Sequence, residues 1–221
     1  MYSCLLKSDC MQLALPWKKH WFQFDGDFTL CDGRAIYLPK SSACEETDSF
    51  GSTGNCVWDG AVEMAMWIDN HKELFHDKSV LELGAGKAGL AGVAAAMIGA
   101  SKVALTDLGY CVESLDSVIR LNNIDHIASA EVLDWFEPSS SYMHDIIIGS
   151  DVVWLPDLVN PLVNTVAGLA QSSDVYIAHQ TRSYATDLLF FQGMQDNGFI
   201  CNKVFSSHLA DIYSFKHDSN D

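Results

Sequence analysis

The hydrophobic pattern is clearest between residues 79 and 107. Ser79-Val80-Leu81-Glu82-Leu83 is a short apolar run of the kind that forms a buried strand, and it stops at Gly84-Ala85-Gly86-Lys87-Ala88-Gly89. From Gly89 to Gly99 nearly every position is Ala, Val, Met or Ile, which predicts a helix buried on most sides. Lys102 to Thr106 is again strand-like and ends in Asp107. The segment therefore reads as strand, glycine turn, helix and second strand, with an acid at its end.

The alternation continues downstream. Val112 to Asn122 reads as a helix, Ala130 to Leu133 as a strand, and Asp145 to Gly149 as a fully apolar central strand. Leu158 to Ala170 is a helix after Pro156, and Asp174 to Ala178 is a strand. Thr186 to Asn197 is a helix with Leu188, Leu189, Phe191 and Met194 for its apolar side, ended by Gly198. Ile200 to Val204 and Ile212 to Phe215 read as a closing antiparallel hairpin. Upstream, Trp58 to His71 is a helix with Asp59 near its N-terminus and Ala61, Val62, Ala65, Met66 and Ile68 or Trp67 for its buried faces. Seven strands alternating with helices predict an α/β fold: a doubly wound, mostly parallel, Rossmann-like sheet with a C-terminal antiparallel hairpin.

Residues 1–50 differ in character. Trp21-Phe22-Gln23-Phe24 and Arg34 to Leu38 have strand-like composition, with Asp25-Gly26-Asp27 and Asp32-Gly33 as turns, so a small β-hairpin element is expected ahead of the main domain at 51–221. Pro39 to Gly54 is polar and reads as a loop.

The strand, glycine turn, helix and terminal acid place a nucleotide-type ligand ahead of a purely structural turn. Asp107, about 20 residues past the glycines, sits where a carboxylate meets a ribose hydroxyl pair. Dinucleotides and S-adenosylmethionine (SAM) both fit that layout. Glu82 favours SAM, because a carboxylate beside the turn repels a pyrophosphate and suits the cationic methionine end; Lys87 argues weakly the other way.

Glu82-Leu83-Gly84-Ala85-Gly86 resembles the first motif of the class I SAM-dependent methyltransferases. Thr53-Gly54-Asn55-Cys56-Val57-Trp58-Asp59-Gly60-Ala61, Leu133-Asp134-Trp135 and Gly149-Ser150-Asp151-Val152-Val153-Trp154 extend the likeness, in order, from about Gly51 to Phe215. Together they resemble the seven-β-strand protein-lysine methyltransferase family, the methyltransferase-16 group. The resemblance implies that Trp58 closes over SAM and that Trp135 contacts it. Asp134, also at a strand's carboxyl end, can accept from the adenine amino group. The readings assign Trp58, Glu82, Gly84, Ala85, Gly86, Asp107, Trp135 and Ser150 to the cofactor, and no metal.

Asp151 follows the fourth strand at the point where a doubly wound sheet reverses its order, so it is expected at the mouth of the cleft, holding an approaching ammonium. The family carries Asp-x-x-Tyr here; this chain has Trp154 in the Tyr position, which keeps an aromatic wall for a cation but lacks the phenol oxygen. Asp151 and Trp154 are the expected catalytic pair. Arg182 is expected to anchor its loop or a substrate carboxylate, and His179 to be structural rather than a general base. No catalytic triad is expected, since methyl transfer needs orientation and desolvation rather than a covalent intermediate. The expected activity is methyl transfer to a lysine side chain of a protein. Set against it are a SAM-binding module without transfer, a small-molecule N-methyltransferase and a nicotinamide-dependent oxidoreductase, the last disfavoured by Glu82.

Composition narrows the partners. The formal charge of −16 opposes binding to phosphate backbones and favours a basic protein segment. Seven scattered cysteines without a CxxC argue for a reducing compartment, against a disulfide framework and against a zinc site. No signal peptide or bilayer-spanning run is read, so the expectation is a monomer of the cytoplasm or nucleus with no membrane or nucleic-acid partner.

Overall fold

The computed structural model describes residues 27–38, 53–138 and 143–217. The expected strand at Trp21 to Phe24 lies outside these residues. β1 (Asp27–Thr29) and β2 (Ala35–Tyr37) form an antiparallel pair, Phe28 opposite Ile36, so Asp27 begins a strand rather than completing a turn. Then come α1 (Asp59–Asn70), α2 (Lys72–Phe75), β3 (Ser79–Leu83), α3 (Leu90–Met97), β4 (Lys102–Asp107), α4 (Gly109–Leu121) and β5 (Ala128–Val132). β6 (Ile146–Ser150), α5 (Pro156–Leu169), β7 (Asp174–His179), α6 (Tyr184–Asp196), β8 (Phe199–Ser206) and β9 (Asp211–His217) complete the order.

The last seven strands form one sheet in the order β5-β4-β3-β6-β7-β9-β8. Strands β3 to β7 are mutually parallel, and β9 runs antiparallel to both β7 and β8. The order reverses between β3 and β6, where Leu83 lies opposite Gly149, and a crevice opens there beyond the carboxyl ends of the strands. Val80, Leu81, Ile147 and Ile148 are buried because both faces of the sheet are covered. One core joins α1, α3, α4 and the β1–β2 hairpin to the sheet; a second joins α5 and α6 to its other face.

The hairpin is tied to the ends of two helices. Arg34 donates to the Met97 carbonyl at 2.6 Å, and Asn122 exchanges hydrogen bonds with the backbone of Tyr37. Among the described residues no helix is long and apolar enough to cross a membrane.

Two helices bury most of the residues expected, among them Val62, Ala65, Trp67, Ile68 and Met194, and depart at a few positions. In α6, Leu188 and Leu189 are exposed, while Thr186, Asp187, Phe190 and Met194 face inward. The inward position of Asp187 is explained by His179: its Nε2 lies 2.9 Å from Asp187 Oδ1, so a buried imidazole takes a buried acid as partner. In α1, Met66 is exposed and Glu63 and Asp69 are buried. Glu63 accepts from the Ser207 hydroxyl at 2.6 Å and Asp69 pairs with Lys72 at 3.1 Å, which offsets the cost of burying them.

Candidate active site

At the switch point lies a cavity of about 400 Å³, the size that suits a small organic ligand. Its floor is the glycine turn after β3. Gly84 has φ +64, and a Cβ there would lie 2.8 Å from Val152 Cγ1 and 3.3 Å from Trp135 Cζ2, so only glycine fits under those side chains. The Gly86 N–H donates to Asp107 Oδ2 at 2.8 Å and the Leu108 N–H to Oδ1 at 2.7 Å. The carboxylate that ends β4 therefore fixes the turn that ends β3. Each oxygen keeps a further lone pair for a ligand hydroxyl. Gly54 accepts from the Lys87 N–H at 2.8 Å, which brings the segment before α1 over the turn.

Glu82 lies on the cavity wall with its side chain buried, and Oε2 accepts from the Gly92 N–H of α3 at 2.9 Å. Burial pushes its carboxyl up to about 7; the Gly92 hydrogen bond opposes the rise and the nearby Asp107 charge adds to it. The expected fixed anion is thus, in the ligand-free chain, a group balanced between its two protonation states at neutral pH.

Trp58, Trp135 and Trp154 supply indole walls from three separate segments. Asp134 also lines the cavity, and its Oδ1 accepts from the Phe136 N–H at 2.9 Å, holding the turn that leaves Phe136 63% exposed at the rim. Ser150, at the end of β6, has a buried hydroxyl with no hydrogen-bond partner among the described residues. An unpaired buried polar atom on a cavity wall is where a ligand group gains most.

Asp151 lines the cavity, as expected, and its carboxylate is also engaged within the fold. Oδ2 accepts from the Gly60 N–H at 2.8 Å, and Oδ1 lies 3.2 Å from Arg182 Nη2, with the Asp151 side chain only 2% exposed. Gly60 is the second residue of α1, where an N–H has no partner within the helix, and Trp58 at the N-cap offers no side-chain acceptor. Asp151 therefore caps α1 from across the site, aided by the helix dipole. A Cβ at Gly60 would fall 2.6 Å from Asp151 Oδ2, so the close approach depends on glycine. Asp151 itself has φ +54, a left-handed conformation that is uncommon outside glycine.

Every residue expected at the cofactor or acceptor end lies on this one cavity: Trp58, Glu82, Gly84, Ala85, Gly86, Asp107, Trp135, Ser150, Asp151 and Trp154. His179 is buried against Asp187 and Phe191 and is not on the wall. Arg182 does anchor, as expected, but its partner is Asp151 rather than a substrate acid, and its guanidinium lies 5.0 Å from the centre of the Trp58 ring. Gly60 was not among the residues expected here; nothing in its local pattern signals an acid 91 positions away. Cys31, Cys111 and Cys201 are free thiols. Among the described residues no group of three metal-binding side chains converges.

The sheet order, the glycine floor and the cleft at the switch point define a class I methyltransferase fold. Solved structures agree. The magnesium protoporphyrin IX methyltransferase of Synechocystis, solved with bound S-adenosylhomocysteine, matches with a TM-score of 0.54 at 15% identity, over 72% of this chain and 82% of that one. The ribosomal protein L11 methylase of Lactobacillus delbrueckii matches with a TM-score of 0.51 at 17% identity, over 71% and 78%. The profile of the lysine methyltransferase family matches residues 41–197, and the chain belongs to that family. Among its relatives is the mouse protein N-lysine methyltransferase METTL21A, 31% identical over 166 residues, 72% of this chain and 75% of that protein. The mouse protein-lysine N-methyltransferase EEF2KMT is 27% identical over 214 residues, 87% of this chain and 62% of that protein.

Proposed function

We propose that this chain transfers a methyl group from SAM to a lysine side chain of a protein substrate. The observation that carries the reading is the cavity itself: a glycine floor between two strand ends, an acid on either side of it and indoles above, in a chain of the lysine methyltransferase family. The residues fit SAM. Asp107 has lone pairs for ribose hydroxyls, Glu82 a carboxyl for an ammonium, Ser150 an unpaired hydroxyl, and Trp135 an aromatic face for adenine. SAM supplies a methyl group already activated by its sulfonium.

The chain contributes orientation and dryness. The indoles of Trp58 and Trp154 exclude water and offer faces that attract a cationic side chain. Desolvation there favours the neutral amine, the form able to attack. Trp154 brings an indole N–H, a donor only, where a tyrosine would bring an oxygen that also accepts. The acceptor nitrogen is therefore positioned by aromatic faces rather than by a hydrogen bond to that residue. Asp151 acts through the wall it holds, not by gripping the substrate.

Calorimetry with SAM, followed by mass spectrometry of lysate proteins incubated with labelled SAM, tests this. The expected result is SAM binding by wild type and by Trp154→Ala, with lysine labelling by wild type only. A chain that binds no SAM, or that labels histidine or arginine, ends the lysine assignment; equal labelling by both proteins removes Trp154 from the acceptor end.

A further inference from the structure

Arg182 lies outside the cavity lining yet touches two residues that form it. Its guanidinium is paired with the Asp151 carboxylate at 3.2 Å and lies 5.0 Å from the centre of the Trp58 ring. Its side chain is 11% exposed and that of Asp151 2%, so the pair is screened little by solvent. We propose that Arg182 is a positioning residue for methyl transfer: it clasps Asp151 and Trp58 together from behind and so fixes the wall of the cavity where α1 begins. This rests on the function read above and adds to it a residue that never meets either reactant.

The geometry explains why the clasp is needed. Trp58 is the N-cap residue of α1, in extended conformation, so it stands outside the helix's own regular geometry. Asp151 sits in a left-handed conformation and keeps it only if its surroundings over-determine it. The Gly60 N–H holds one carboxylate oxygen and Arg182 holds the other. A guanidinium is a delocalised, weakly hydrated cation that can serve a carboxylate and an aromatic ring at once; an ammonium is a compact, strongly hydrated charge less suited to the ring. One side chain thereby couples the turn after β6, the start of α1 and the turn before α6. If Trp58 covers the cofactor, the clasp holds it ready before the cofactor arrives, and the ordering cost is not met on binding.

The test uses the full chain with Arg182→Lys, which keeps the charge opposite Asp151 but not the planar face. A second variant, Asp151→Asn with Arg182→Met, removes both charges together. The readouts are melting temperature, SAM affinity by calorimetry and the rate of methyl transfer. We expect both variants to fold and to bind SAM about 2- to 30-fold more weakly, the range set by one cation–π contact. We also expect Arg182→Lys to cost little more in a Trp58→Leu background, because its effect passes through Trp58. Folded variants with wild-type SAM affinity and transfer rate overturn the proposal while leaving the methyltransferase reading intact. An equal loss in the Trp58→Leu background overturns it as well. Unfolding of both variants makes Arg182 structural and overturns it too. A wild-type chain that binds no SAM defeats the underlying reading and the inference with it.

Discussion

Glu82 is the residue whose surroundings most alter its chemistry. Burial raises its carboxyl from an ordinary 4.5 to about 7. Between those values the folded chain holds a proton that the unfolded chain has released, so stability falls as pH rises through the window and levels off above it. The raised value corresponds to a cost on the order of 3 kcal/mol at and above neutral pH. Glu82→Gln keeps an acceptor for the Gly92 N–H and cannot ionise. Its unfolding free energy is therefore expected to be flatter between pH 4.5 and 7 than that of wild type, and larger at pH 8; denaturant titrations at several pH values check both. A cationic ligand reverses the balance, because a positive charge nearby favours the ionised carboxyl. At pH 6 wild type should release a proton on binding SAM and Glu82→Gln should not, which calorimetry in buffers of different ionisation enthalpy measures. The sequence shows that an acid precedes the turn; it does not show that the acid is half-protonated, because that depends on how completely α3 covers it.

Among the elements, α1 depends most on a distant partner. Its N-terminus has no side-chain cap of its own, and Asp151 supplies one through the Gly60 N–H. Gly60→Ala pushes a methyl group into that carboxylate and is expected to cost about 1–2 kcal/mol, the worth of a helix cap. Thermal and denaturant unfolding would show it, together with weaker SAM binding because Trp58 loses its footing. Asp151→Ala is harsher: it uncaps α1 and breaks the buried pair with Arg182, a change of about 3–5 kcal/mol. Loss of transfer in that variant accordingly says nothing about an ammonium-holding carboxylate unless unfolding is measured beside it. The existence and kind of the main elements were legible from periodicity: β3, α3 and β4 stand within a residue or two of the apolar runs that announce them. The burial of α6 was legible only in part: Met194 is inside as expected. Leu188 and Leu189 have the composition of a core face, but Asp187 must reach His179, and that rotates the helix to place Phe190 and Met194 inside.

Across the whole molecule, the sheet reversal gathers residues from positions 54 to 158 around one cleft, and the chain carries a net charge of −16. If the methyl acceptor is a basic segment, its capture should be steered by that charge: kcat/KM for a protein substrate is expected to fall as ionic strength rises, while SAM affinity changes much less. A flat salt profile would mean that the acidity serves solubility alone. The sequence by itself determined the order of strands and helices, the glycine floor and the acid that ends β4. These are local properties, set by side-chain periodicity and turn chemistry within a few residues. Only the tertiary structure decided what each carboxylate holds: Asp107 the glycine turn, Asp151 a helix N-terminus and a guanidinium, Glu82 the Gly92 N–H in a buried setting that raises its pKa. Hydrogen-bond partners and desolvation come from segments far apart in the chain, and no local pattern encodes which of them will meet.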